Sequence, residues 1–198
     1  MSTVTAAPRR TTPSTSSART VARWMISFLG FPLGGLAAWL VTGPVVDTTS
    51  AVTGGLLTGA ILGAVQAWAL RADRRLFTTW TLATAIGLAV GLTAGATLVN
   101  FSTGLADLAL QGAVSGGVVG LAQAVVLWRR TGPLALAWPA YLAGAWAAGW
   151  TVTTLAGIGV DEQFTVFGAS GALVATLLTA VLPLVLRTRH GSHQASAA

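Results

Sequence analysis

Side chains able to carry chemistry are few in this chain of 198 residues. There is no cysteine, and the two histidines, His190 and His193, lie close to the C-terminal end. The acids number five: Asp47, Asp73, Asp107, Asp161 and Glu162. Without cysteine there is no disulfide, no thiolate nucleophile and no Cys-held zinc or iron–sulfur centre. The histidines are three residues apart with no third ligand type nearby, so they are read as part of a frayed polar tail. No serine–histidine pair, catalytic carboxylate pair or metal-ligand spacing occurs elsewhere. The expectation is a protein that is not an enzyme, with no catalytic residue, no metal site and no cofactor. The polar groups that remain are Gln66, Gln123 and Thr179, each set among apolar residues about one helical turn from the end of its segment. They are read as interhelical hydrogen-bonding residues that fix register, or as the lining of a narrow polar path.

Such residues need apolar elements to hold them. Only 8% of the chain is charged and 54% is hydrophobic, against the roughly 25% charge of soluble domains. Charge-free runs near 21–41, 51–70, 78–99, 108–128, 134–156 and 164–186 each approach the ~20 residues that span a bilayer as a helix. The expected fold is an all-α integral membrane domain over 21–187. Six transmembrane helices would form three repeated helical hairpins, at about 21–75, 78–130 and 134–187. Disordered tails are expected at 1–20 and 188–198.

All eleven basic residues are arginine. Arg9, Arg10, Arg19 and Arg23 precede the first span. Arg71, Arg74 and Arg75 follow the second, Arg129 and Arg130 the fourth, and Arg187 and Arg189 the sixth. The alternate connections hold Asp47, Asp107, Asp161 and Glu162 and no arginine. Positive charge is retained on the cytoplasmic side, so both termini are expected there, with the protein in the inner (cytoplasmic) membrane. The same rule, with headgroup contact, accounts for the net charge of +6, so nucleic acid is not an expected partner. The acids are read as helix N-terminal residues favourable with the macrodipole, in preference to an acidic mouth for cations. Asn100, Gln111 and Gln163 are read as loop-satisfying groups at the outer boundary.

Internal repetition is the strongest pattern. Gly55, Gly59, Gly63, Gln66 and Leu70 recur as Gly112, Gly116, Gly120, Gln123 and Leu127, a constant shift of 57 residues. A degraded copy runs Gly168, Ala172, Thr176, Thr179. Trp24, Trp80 and Trp138 open the odd spans, with Gly35, Gly91 and Gly149 further on. Small residues every fourth place let helix backbones approach closely, so the even spans are expected to pack centrally by these stripes with the odd spans outside. The three tryptophans are expected at headgroup level as an aromatic belt. Trp39, Trp146 and Trp150 are candidates for a lipid-binding crevice.

The fragment Gly59-Ala-Ile-Leu-Gly63-Ala-Val-Gln66-Ala-Trp68-Ala-Leu70-Arg71, followed by Trp80-x2-Ala83-x3-Gly87-x3-Gly91, resembles a hairpin repeat in a loose group of uncharacterised bacterial multi-pass membrane proteins. The likeness covers about 24–186, and implies the helical fold alone. The leading functional expectation is a non-enzymatic structural or interaction component of the membrane. Its partners would be the lipid bilayer and a membrane protein or further copies of itself. The alternative is a small-solute channel or facilitator, with a path along a pseudo-threefold axis lined by Gln66, Gln123 and Thr179.

Overall fold

Apolar sequence free of strand-type alternation folds here into helix after helix. The computed structural model describes residues 14–158 and 169–187, and among these there is no strand. The helices are α1 (Ser14–Ile26), α2 (Gly30–Thr42), α3 (Thr48–Ala69), α4 (Arg74–Leu98), α5 (Leu105–Thr131), α6 (Trp138–Leu155) and α7 (Ala169–Thr179). Five helical stretches are long and apolar enough to cross a membrane: Ser17–Thr42, Thr48–Ala69, Arg74–Leu98, Leu105–Leu155 and Ser170–Arg187. The fourth contains both α5 and α6, joined by the 3₁₀ turn Gly132–Ala137. Arg9, Arg10, Asp161, Glu162, Gln163, Gly168, Arg189, His190 and His193 lie outside the described residues.

Proline explains the interruptions. A helical Pro32 would lack the N–H that bonds the Phe28 carbonyl and would crowd that carbonyl; the 3₁₀ turn Ser27–Leu29 sits at this point between α1 and α2. Pro183 stands in the same relation to Thr179, and Ala180 is a turn before helix resumes at 181–187. Pro139 occupies the first turn of α6, where no N–H is needed. Gly43 and Gly132, at φ 70° and 56°, end α2 and α5 in the left-handed region. α1 begins at Ser14, so the tail expected over 1–20 is helical in its last part; Ala18 and Arg19 are good helix formers that extend the first span backwards.

α1 runs on through the 3₁₀ turn into α2; from α2 onward each helix packs antiparallel on its neighbour in sequence, and α7 closes on α1 and α2. Gly34 of α2 faces Thr58 of α3, while Gly55 and Gly59 of α3 face Ala89 and Ala85 of α4. Gly91 of α4 meets Ser115 of α5; Gly116 and Gly120 of α5 meet Leu142 and Pro139 of α6. The expected central cluster of even spans is therefore corrected. α3, α5 and α7, which cover the expected second, fourth and sixth spans, are not among the helix pairs in substantial contact. Their small residues face the odd helices instead, because a glycine stripe lowers the approach distance to whichever neighbour the short loops deliver.

These contacts are close. A Cβ at Gly59 would stand 2.7 Å from Ala85 Cα, and one at Gly116 would stand 2.6 Å from the Leu142 carbonyl oxygen. Two hydroxyls use the same proximity: Thr58 Oγ1 donates to the Gly34 carbonyl and Ser115 Oγ to the Gly91 carbonyl, both at 3.2 Å. The described arginines gather at one end of the bundle, where Arg130 pairs with Asp73, Arg187 reaches Ser17, and Arg23 donates to the Trp68 carbonyl.

Candidate functional site

Trp24, Trp80 and Trp138 begin the inward-facing geometry. They are not a headgroup belt: all three are buried, Trp80 completely. An indole tolerates deep burial once its N–H has a partner, and each one here does. Trp80 Nε1 donates to Gln66 Oε1 at 3.2 Å, and Trp138 Nε1 donates to Gln123 Oε1 at 2.8 Å. Trp24 Nε1 donates to Thr179 Oγ1 at 3.2 Å and to the Thr176 carbonyl at 3.1 Å. The first two pairs bridge consecutive helices across the arginine-rich loops. The third joins α1 to α7 and closes the ring. Belt-like exposure falls instead to Trp39, Trp68 and Trp128, each about half exposed.

Gln66, Gln123 and Thr179 all line one interior cavity. Its wall also includes Trp24, Trp80, Trp138, Phe31, Leu142 and Trp146. The cavity holds about 10 Å³, at the lower limit of the ~10–15 Å³ that one water needs. Phe31 of α2 and Trp146 of α6 meet edge to face across the interior, ring centroids 5.9 Å apart. Trp146 and Trp150 are buried against the α5 glycines. Neither lines a surface crevice, because the missing side chains at Gly112 and Gly116 make room for these rings inside.

The amides differ in their partners. Gln123 is engaged at both ends, since its Nε2 also donates to Thr84 Oγ1 at 3.0 Å. Thr84 in turn donates to the Trp80 carbonyl at 2.9 Å, linking α4, α5 and α6 in one buried network. Sequence reasoning overlooked Thr84, Thr58 and Ser115. Thr58 and Ser115 were visible as hydroxyl residues just before Gly59 and Gly116 at the common 57-residue shift. Thr84 carried the same signal, a hydroxyl 57 residues after Ser27, and lies one helical turn after Trp80.

At the opposite end of the bundle from the arginines the acids act locally. Asp47 caps α3: its carboxylate accepts from Ser50 N at 2.7 Å while Ser50 Oγ accepts from Asp47 N at 3.1 Å. The Ser50 backbone N–H, then the Ser50 hydroxyl, hold the Asp47 carboxyl below its ordinary value. Asp107, in the first turn of α5, accepts from Ser102 Oγ. Asn100 lies in the left-handed region at φ 52°, and Gln111 is buried beside Gly95 rather than in a loop.

With this geometry in view, the chain was compared with known proteins. No protein-family model, no curated protein and no solved structure matches it.

Proposed function

We propose that the chain is a six-span, three-repeat protein of the bacterial inner membrane, with both termini cytoplasmic, that acts without enzymatic activity as a structural or interaction component. In this reading α5 and α6 cross separately, since they run antiparallel and Gly132 turns the chain between them. The repeat accounts for the three tryptophan–polar pairs and for the paired hydroxyl bonds of Thr58 and Ser115. It is also the ground for the likeness to the Gly/Ala-rich hairpin proteins.

The observation that carries the functional reading is the filled interior. Where a solute path would pass Gln66, Gln123 and Thr179, six aromatic and aliphatic side chains share the wall and leave about 10 Å³. A conducting pore needs a hydrated or coordinating lining along its length. The channel reading is therefore set aside in favour of a solid core whose outward surface meets lipid and partner.

Native mass spectrometry of protein extracted gently from its own membranes tests this. The expected result is a second polypeptide in fixed stoichiometry that survives extraction. A lone copy, with no protein bound under conditions that preserve other membrane complexes, overturns the interaction role.

A further inference from the structure

Gln66 faces the interior cavity with only part of its hydrogen-bonding capacity met. Its Oε1 accepts from Trp80 Nε1, and that indole donor decides which end of the amide is oxygen. Nε2, with two N–H donors, has no acceptor among the described residues. Gln123, in the corresponding place on α5, gives its Nε2 to Thr84 Oγ1. The residue standing to Gln66 as Thr84 stands to Gln123 is Ser27, 39 positions earlier in both cases (66 − 27 and 123 − 84). Ser27 Oγ is turned back onto the Trp24 carbonyl at 2.6 Å, much as Thr84 is onto the Trp80 carbonyl, and it does not reach the amide. Gln66 is 91% buried, being 9% exposed, and its amide faces the cavity.

The geometry points to a binding site for one ordered water molecule in this cavity, held by Gln66 Nε2. An amide donor that finds no protein acceptor on a largely aromatic wall is unfavourable until something accepts from it, and the cavity beside it is of single-water size. The water accepts from Gln66 Nε2 and has oxygen acceptors on the same wall in Thr179 and Gln123, within the two to four polar partners a buried water requires. It takes in the first hairpin the place that the Thr84 hydroxyl takes in the second. Any larger solute is excluded by volume.

The test is a density map of the full-length protein in lipid nanodiscs, at a resolution that shows waters, for the native chain and for Gln66→Met. The native map is expected to hold one peak at about 2.7–3.2 Å from Gln66 Nε2. In Gln66→Met the peak is expected to vanish while the Trp80 and Trp138 rings keep their places. An empty native cavity, a Gln66 amide turned onto a protein acceptor, or density larger than one water overturns the site. A peak that persists unchanged in Gln66→Met overturns Gln66 as its anchor. The native map decides the first question even where the variant does not fold.

Discussion

Asp73 and Arg130 stand 57 residues apart and meet at 2.9 Å. The offset is the one that separates Gln66 from Gln123, so an acid and a base at matching places of the 57-residue spacing bind each other. Asp73 also caps α4, accepting from Leu76 N at 2.8 Å. Its carboxyl is held below the ordinary value of 3.8, first by that backbone N–H and then by the Arg130 guanidinium. One acid among three arginines in its loop thus begins one helix and anchors the loop after another.

Acid stability should reflect this. Asp47 and Asp73 both titrate lower in the folded protein than the ordinary 3.8. Their contribution is therefore full above that value and lost as pH falls below it, through the folded-state values. The double variant Asp47→Asn, Asp73→Asn should melt below the native chain from pH 7 down to about pH 4. The gap should close at lower pH. Both carboxylates are solvent-exposed, so the gap should be modest, and added salt should reduce the part due to Arg130. Thermal unfolding in detergent across that pH range measures it.

Close helix approach gives a sharper contrast. Gly59→Ala and Gly116→Ala push a methyl into backbone at 2.7 and 2.6 Å and should each cost about 1–3 kcal/mol by overpacking. Gly144 has nothing within 4 Å of the added carbon. Gly144→Ala should be neutral, or stabilise α6 by up to about 1 kcal/mol through helix propensity. Melting curves of the three variants, prepared alike, decide the ranking.

The buried amides should not be equivalent. Gln123→Met strands the Trp138 N–H and removes the donor to Thr84, two bonds within the protein, while Gln66→Met removes one bond within the protein, that from the Trp80 N–H. Interhelical hydrogen bonds in membranes average about 0.6 kcal/mol, so Gln123→Met should be the more damaging of the two. Steric-trapping measurements of unfolding in bilayers have the resolution to separate them.

Solute flux should be absent. Proteoliposomes carrying the native chain should release small polar solutes no faster than protein-free vesicles. Gln66→Leu with Gln123→Leu should change nothing in a correctly inserted, monodisperse sample. Flux in the native protein that the double variant abolishes would restore the channel reading.

Sidedness can be read directly because the chain has no native cysteine. Thr103→Cys, on the exposed loop before α5, should react with an impermeant maleimide in intact cells. Arg129→Cys, at the arginine end of α5, should react only after the membrane is opened. The reverse pattern would invert the proposed topology.

Much of this protein is legible without coordinates. Long charge-free runs dictate helices, because hydrogen bonding within the segment is what satisfies a backbone away from water. The alternation of arginine-bearing loops with arginine-free ones, joined by short connections, places the described arginines at one end. The spacing of Gln66, Gln123 and Thr179 puts them at one depth, and they do meet around one cavity. What tertiary structure alone decided is which neighbour each pattern serves. A glycine stripe favours close approach without naming the helix that approaches; in the folded chain Gly59 meets Ala85 of the next helix, and α3 and α5 make no substantial contact. An indole is equally at home at a headgroup or in a core that offers an acceptor; the glutamines brought within reach by the turns drew Trp80 and Trp138 inside. Whether three polar groups at one depth line a path or seal a core depends on volume. That volume was set by Phe31 of α2 with Leu142 and Trp146 of α6, two helices far apart in the chain that meet through Phe31 and Trp146 only in the folded bundle.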